Sequence, residues 1–387
     1  MEQQRLETVE KMRRILKDPG CIHGYYYQEQ NYIDSQRKGC YEMYESFKTS
    51  CSSLIEYWAI NDDNIPWKMT PTTLGNLKSY NFEELKDMTK NSNVPIGYTM
   101  HGRLYKGSIL DDNDGGTEEV IIKTWDFLYP MGQSRVYCDH PSRFCNELEI
   151  LTDENRHPCL MKLKGFCFQK TLAVVYDERP TRENGRPLKF LLDDILYSHM
   201  DNSFKFRDRI KVAGQLASLI AWLHEKQFTF REIRSSGIVS DEEFNIKVFD
   251  FNFLARASEM GKVRGLYPVG FDSPEFGGSQ PLEADVYMFG ILLVELFIDV
   301  NEKIPPPHYH WIQGQLQSGR KSIVDKTLLR DEDDELFANR ITTIAANCLD
   351  KDPTTRVAMK YVSDQLSDLM VEAARERGTK RKIEELS

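Results

Sequence analysis

Phe230-Arg231-Glu232-Ile233-Arg234-Ser235-Ser236-Gly237 is followed shortly by Phe244-Asn245-Ile246-Lys247-Val248-Phe249-Asp250-Phe251-Asn252, and the two segments make one pattern. It places charged and small residues in a loop, then a short apolar strand, then an aspartate in a turn between two phenylalanines. A helical pattern precedes it, FRDRIKVAGQLASLIAWLHEK at 206–226, with apolar residues at three- and four-residue spacing. Two more come after it, EADVYMFGILLVELF at 283–297 and ELFANRITTIAANCLDKD at 335–352. The stretch is therefore a non-helical insertion in an otherwise helical half of the chain.

The other half reads differently. IGYTMHGRLYKGSIL (96–110) and EEVIIKTWDF (118–127) are short antiparallel strand candidates, with Asp111–Gly116 as a turn-rich bridge. A helical segment over Ser142–Leu151 and two further strands, Met161–Gln169 and Thr171–Tyr176, close a small β-rich lobe. The fold class expected is α+β and bilobal, with a cleft between the lobes where a ligand would sit. The divisions are a helical extension at 1–75, a small lobe at 76–178, a helical lobe at 179–369 and a charged tail at 370–387. In the extension, Leu6, Val9, Met12 and Leu16 recur at helical spacing until Pro19-Gly20, and Tyr44, Phe47, Leu54, Ile55 and Trp58 mark a second helix. That extension packs on the main domain or docks a partner; the pattern fits both.

Composition narrows the class. With 40% hydrophobic and 28% charged residues the chain suits a folded protein rather than a disordered one. A net charge of -10 argues against nucleic acid as the main partner, since phosphate backbones need a basic footprint. Eight cysteines without C-x-x-C spacing argue against a structural zinc or a disulfide framework, and the thiols read as reduced and cytosolic. The start lacks an apolar signal region, Glu2 excludes N-myristoylation, and the apolar run near Gly290–Val300 is too short to span a membrane. The basic cluster Lys380–Lys382 reads as a solvated tail or a nuclear-import signal.

Order and spacing together carry a resemblance that no motif carries singly. The stretch from about Asn81 to Leu369 resembles a protein kinase, specifically the plant receptor-like and receptor-like cytoplasmic kinases. NFEELKDMTKN (81–91), GRLYKG (102–107), RHPCLMKLKGFC (156–167) and DVYMFGILLVELF (285–297) are the similar segments. The resemblance, rather than composition or periodicity, implies the roles of the site residues. By it, Gly97 and Gly102 stand at the ends of the phosphate-covering G-x-G-x-x-G loop, whose middle glycine is Thr99 here. Lys123 matches the lysine that pairs with the α and β phosphates, and Glu147 its partner on the next helix. Ile121 replaces a small alanine against the adenine. Tyr176 falls at the back of the nucleotide pocket, where a plain core aromatic fits equally well.

The catalytic pattern H-R-D-x-x-x-x-N is altered at three positions. Glu232 takes the place of the catalytic base, one methylene too long, and such misplacement by about 1 Å can cost about a hundredfold in rate. Phe230 replaces a histidine, and Gly237 replaces the asparagine that holds a second magnesium. Arg234 stands for a lysine, and Asp250-Phe251-Asn252 matches D-F-G with its glycine lost. Asp250 would be the remaining magnesium ligand. Ser273-Pro274-Glu275, Arg356, Asp285 and Arg231 match residues that hold the fold. Between Asp250 and Glu275 only Ser258, Tyr267 and Ser273 carry hydroxyls, so ordering by phosphorylation is not expected.

Transfer residues altered over an intact scaffold imply a pseudokinase: a scaffold, decoy or adaptor, with ATP and Mg2+ as ligands it could still hold. The resemblance implies protein partners such as receptor kinases, immune receptors or active kinases, and a cytoplasmic site reaching the plasma membrane through them. A slow Ser/Thr kinase using Glu232 as base and Asp250 as its single metal ligand stays open beside it, and a small-molecule phosphotransferase is a distant third.

Overall fold

The computed structural model describes residues 77–90, 94–99, 102–110, 116–125, 140–153, 155–167, 171–177, 192–197, 204–231, 233, 235–251, 254–257, 281–298 and 308–384. The two helices expected in the 1–75 extension lie outside the described residues, as do Glu232, Arg234, Asn252, Ser258, Tyr267 and Ser273-Pro274-Glu275. Of Thr99 only the backbone is described.

The small lobe is a six-stranded sheet in the order β1-β5-β6-β4-β3-β2. Its strands are β1 Lys78–Ser79, β2 Gly97–Thr99, β3 Gly102–Leu110, β4 Thr117–Thr124, β5 Leu163–Cys167 and β6 Ala173–Tyr176. β1 pairs parallel with β5, and the other neighbours are antiparallel. Strand alternation sorts β4 cleanly. Val120 and Ile122 face outward, packing with Val175, Leu85 and Met88. Ile121 joins the core beneath the sheet, beside Leu104, Val174 and Tyr176.

The outward face is covered by α1 (Phe82–Met88), and its start explains why a seven-residue helix holds. Asn81 Oδ1 accepts from the Glu84 N–H at 2.9 Å, and Glu84 Oε2 accepts from the Asn81 N–H at 2.7 Å. This reciprocal capping box satisfies two helix-terminal donors. Helix α2 (His140–Leu151) comes after β4 and inserts Phe144, Leu148 and Leu151 into the core below.

The second lobe is helical: α3 Leu192–Tyr197, α4 Phe206–Glu225, α5 Pro281–Phe297, α6 His308–Gln317, α7 Glu332–Cys348 and α8 Met359–Glu384. The insertion after α4 carries four short strands: β7 Phe228–Thr229, β8 Ile238–Ser240, β9 Ile246–Val248 and β10 Ala255–Arg256. β8 pairs with β9 and β7 with β10, both antiparallel. From Val286 to Val294 every residue of α5 is buried, which is why the sequence there is apolar all round. Helix α8 runs through position 370, where the sequence suggested a tail, because Leu366, Leu369 and Ala373 are still core residues. Gly214 of α4 lets it close in: a Cβ there would stand 2.2 Å from Met370 Sδ.

The α5–α7 contact depends on a similar absence. A Cβ on Gly290 would lie 2.8 Å from the Cys348 Cβ and 3.0 Å from the Leu349 Cγ. These are stiff neighbours, so Gly290→Ala is expected to lose about 1–3 kcal/mol through overpacking. A urea melt checks it: the midpoint falls while the slope is unchanged.

Candidate functional site

β4, α2 and the end of β9 bring three charged side chains together under the sheet. Lys123 Nζ donates to Glu147 Oε2 at 2.9 Å, and both side chains are fully buried. Asp250 Oδ1 lies 2.5 Å from the same nitrogen. That contact is ionic but not aligned as a hydrogen bond, so Asp250 Oδ1 is a buried oxygen with no hydrogen-bond partner. Glu147 is saturated instead. Its Oε1 accepts from the Tyr176 hydroxyl at 2.7 Å and from the Asp250 N–H at 2.9 Å, and its Oε2 accepts from the Phe251 N–H at 2.9 Å. Burial, and then the Glu147 charge beside it, holds the Tyr176 phenol well above its ordinary range. Tyr176 therefore keeps its proton and acts as a donor to the Glu147 carboxylate.

Two residues here adopt the left-handed backbone that side chains disfavour. Asp250 has φ 71° and Arg231 has φ 65°. The latter is held from below by Asp285, fully buried at the start of α5. Its Oδ2 accepts from the Phe230 N–H at 2.6 Å and its Oδ1 from the Arg231 N–H at 2.7 Å. His224 Nε2 lies 3.1 Å from Asp285 Oδ2. Phe230 stacks against Phe251 with ring centroids 5.0 Å apart, so an aromatic in place of histidine fills the core.

Gly237 closes a short 3-10 turn that begins at Ser235. Its carbonyl accepts from the Phe249 N–H at 3.1 Å, and an added Cβ would meet the Phe249 carbonyl oxygen at 3.2 Å. The catalytic-loop turn thus sits directly against the strand that leads to Asp250. Past Phe251, the chain is tied to α2 on two more counts. Asn146 Nδ2 donates to the Leu254 carbonyl at 2.9 Å, and Arg256 pairs with Glu149 at 2.8 Å.

The protein tyrosine and serine/threonine kinase family model matches residues 91–366, which contain every one of these elements. The chain belongs to this kinase family. Among its relatives, the Arabidopsis thaliana serine/threonine-protein kinase BIK1 is 30% identical over 338 residues, covering 76% of each chain. The EPD1-interacting receptor-like cytoplasmic serine/threonine-protein kinase of Nicotiana benthamiana is 27% identical over 317 residues. The alignment covers 76% of this chain and 64% of that protein. The Arabidopsis L-type lectin-domain containing receptor kinase VIII.1 is 28% identical, over 75% of this chain and 41% of its own length. The chain thus spans less than two thirds of those last two relatives.

Kinases of this family generally bind ATP and Mg2+, and the residues present fit the two unequally. The Asp250 carboxylate, whose Oδ1 is ion-paired with Lys123 but accepts no hydrogen bond, is of the type that would hold one magnesium, as magnesium keeps several waters and takes one or two carboxylates. Gly237 supplies no second side-chain ligand, and among the described residues no group of three or more His, Cys, Asp or Glu could hold a metal. On the base side, Ile121 brings more bulk than the alanine of the family pattern, and Leu104, Ile121 and Tyr176 are all at most 2% exposed.

Lys123, Glu147, Tyr176 and Asp250 are therefore brought together. Gly97 and Gly102 are paired through the β2–β3 register, where Thr99 faces Gly102 and Gly97 faces Leu104. Arg356 anchors the far side of the lobe through the Asp350 and Glu283 carbonyls, with its expected partner Glu275 outside the described residues. The sequence reading missed Trp125, whose ring lies 4.2 Å from Lys123 Nζ; the two-residue spacing in a strand was the available signal. It also missed the Glu149–Arg256 tie, which has no local signature. Among the described cysteines, burial pushes the Cys159 thiol up to about 11 and the Cys348 thiol up to about 12, away from the reactive thiolate form.

Lys123→Met would leave two buried carboxylates around one missing cation and is expected to cost about 3–5 kcal/mol, read by chemical denaturation. The Tyr176 phenol stays protonated in the fold while the unfolded chain releases its proton near pH 10. Its stabilising share is complete below that pH and is lost above it. The stability gap between wild type and Tyr176→Phe should accordingly narrow as pH rises past about 10.

Proposed function

We propose that the chain is a pseudokinase: a kinase-family interaction module that serves as scaffold, decoy or adaptor and does not transfer phosphate. The observation that carries this reading is Gly237. It offers no metal ligand, and its turn is packed so closely on Phe249 that an asparagine Cβ would meet the carbonyl oxygen at 3.2 Å. A side chain there would need the Phe249 backbone to give by a few tenths of an ångström. The bulk of Ile121 on the base side supports the reading, as does Glu232 in the base position. Phosphoryl transfer depends on positioning and electrostatics, and both suffer when a metal ligand and the base move together.

The partners we infer are proteins, namely receptor kinases, immune receptors or active kinases. The site of action is cytoplasmic, reaching the plasma membrane through those partners. The net charge of -10 supports protein rather than nucleic-acid partners. No helix among the described residues is long and apolar enough to cross a membrane. A weakly active Ser/Thr kinase is the second reading, favoured by the Lys123–Glu147 pair at 2.9 Å with Asp250 beside it.

Incorporation from γ-labelled ATP, with magnesium and then manganese, separates the two. The acceptors are the protein itself and a generic substrate, and the control is Asp250→Ala prepared identically. Background incorporation in both is expected. Label that appears in wild type and vanishes in the control would make Glu232 a working base and end the pseudokinase reading.

A further inference from the structure

A lysine that is to hold a phosphate must keep one face of its ammonium open, and Lys123 does not. Its side chain is fully buried. Glu147 Oε2 takes one direction at 2.9 Å, and the Asp250 carboxylate lies at 2.5 Å on another. The Trp125 ring covers a third, with its centroid 4.2 Å from Nζ, inside the range of a cation–π contact. The Phe249 ring stands further off at 5.9 Å. Among the described residues, these groups enclose the ammonium.

Trp125 is itself firmly placed. Its backbone N–H donates to the Leu172 carbonyl at 3.1 Å, extending the β4–β6 ladder by one residue. Its ring meets Phe144 of α2 edge to face, with centroids 5.6 Å apart and planes at 87°. Phe144 lies one turn before Glu147 on the same helix, so the indole bridges the lysine and the helix that carries the lysine's partner. A buried ammonium needs several compensating groups, since desolvation alone costs several kcal/mol. Two carboxylates and an aromatic face supply them from within the chain.

We propose that Trp125 is a positioning residue that completes an internal cation site around Lys123. This site takes the place of a nucleotide's phosphates and keeps α2 docked without any ligand. The inference deepens the pseudokinase reading and rests on it: the lysine is kept to hold a helix, not a substrate. Two outer ties point the same way. Asn146 to the Leu254 carbonyl and Glu149 to Arg256 fasten α2 to the segment after Phe251 with no phosphate involved.

The test uses the full chain as wild type, Trp125→Phe and Trp125→Leu, all free of nucleotide. Each is pulsed with a small amine-acetylating reagent, and Lys123 modification is read by peptide mass spectrometry. Amide exchange in α2 and α4 is measured on the same samples. Phenylalanine keeps a ring face and leucine keeps only apolar bulk. Expected is a protected Lys123 in wild type and Trp125→Phe, and modification about tenfold faster in Trp125→Leu. Exchange should rise in α2 but not in α4. Equal protection by leucine and phenylalanine would overturn the proposal, as would equal failure of both or exchange rising alike in α4. The underlying reading fails by a different sign, label incorporated from ATP, so the two failures cannot be confused.

Discussion

Glu147 is the point on which the small lobe, the insertion and helix α2 converge. One fully buried carboxylate accepts from an ammonium, a phenol and two successive backbone N–H groups. These donors come from three parts of the chain: β4, β6 and the turn after β9. A buried charge is tolerable only when paired and hydrogen-bonded on every side, and this one is. Removing any donor leaves the others around an under-satisfied anion, which couples the elements more tightly than apolar contact would. The left-handed backbone at Asp250 is one consequence, since that turn must aim two consecutive N–H groups at one carboxylate.

A second buried carboxylate does the same below the insertion. Asp285 fixes the Phe230 and Arg231 N–H groups and so sets where the loop after them begins. Between these two anchors lie the turns that carry Arg231, Gly237 and Asp250. Removing one partner from either buried group is expected to cost about 3–5 kcal/mol, because the other charge is left buried and unpaired.

Helix α2 is tied to the segment at Asp250, Phe251, Leu254 and Arg256 by four contacts within the chain. These contacts weigh on the docked side of any equilibrium between docked and undocked α2.

Much of this was readable beforehand. The strand alternation of β4, the all-apolar α5 and the capping box at Asn81 are local patterns, and local patterns set local structure. The order of the motifs placed Lys123, Glu147, Asp250 and Asp285 in one fold, and the identities of Glu232, Gly237 and Ile121 marked where the chain departs from the family pattern. Spacing could not say whether Lys123 faces a cleft or a closed core. That depends on Trp125, Phe144, Ile121 and Tyr176, which meet only when β4, β6 and α2 pack together. The pairing of Arg256 with Glu149, across a gap of over a hundred residues, was equally out of reach. Residue identity alone gives the charges that the chain carries and their order. Which of them are dry and mutually satisfied is settled by how β4, β6 and α2 meet, because desolvation is a property of packing and not of any single residue.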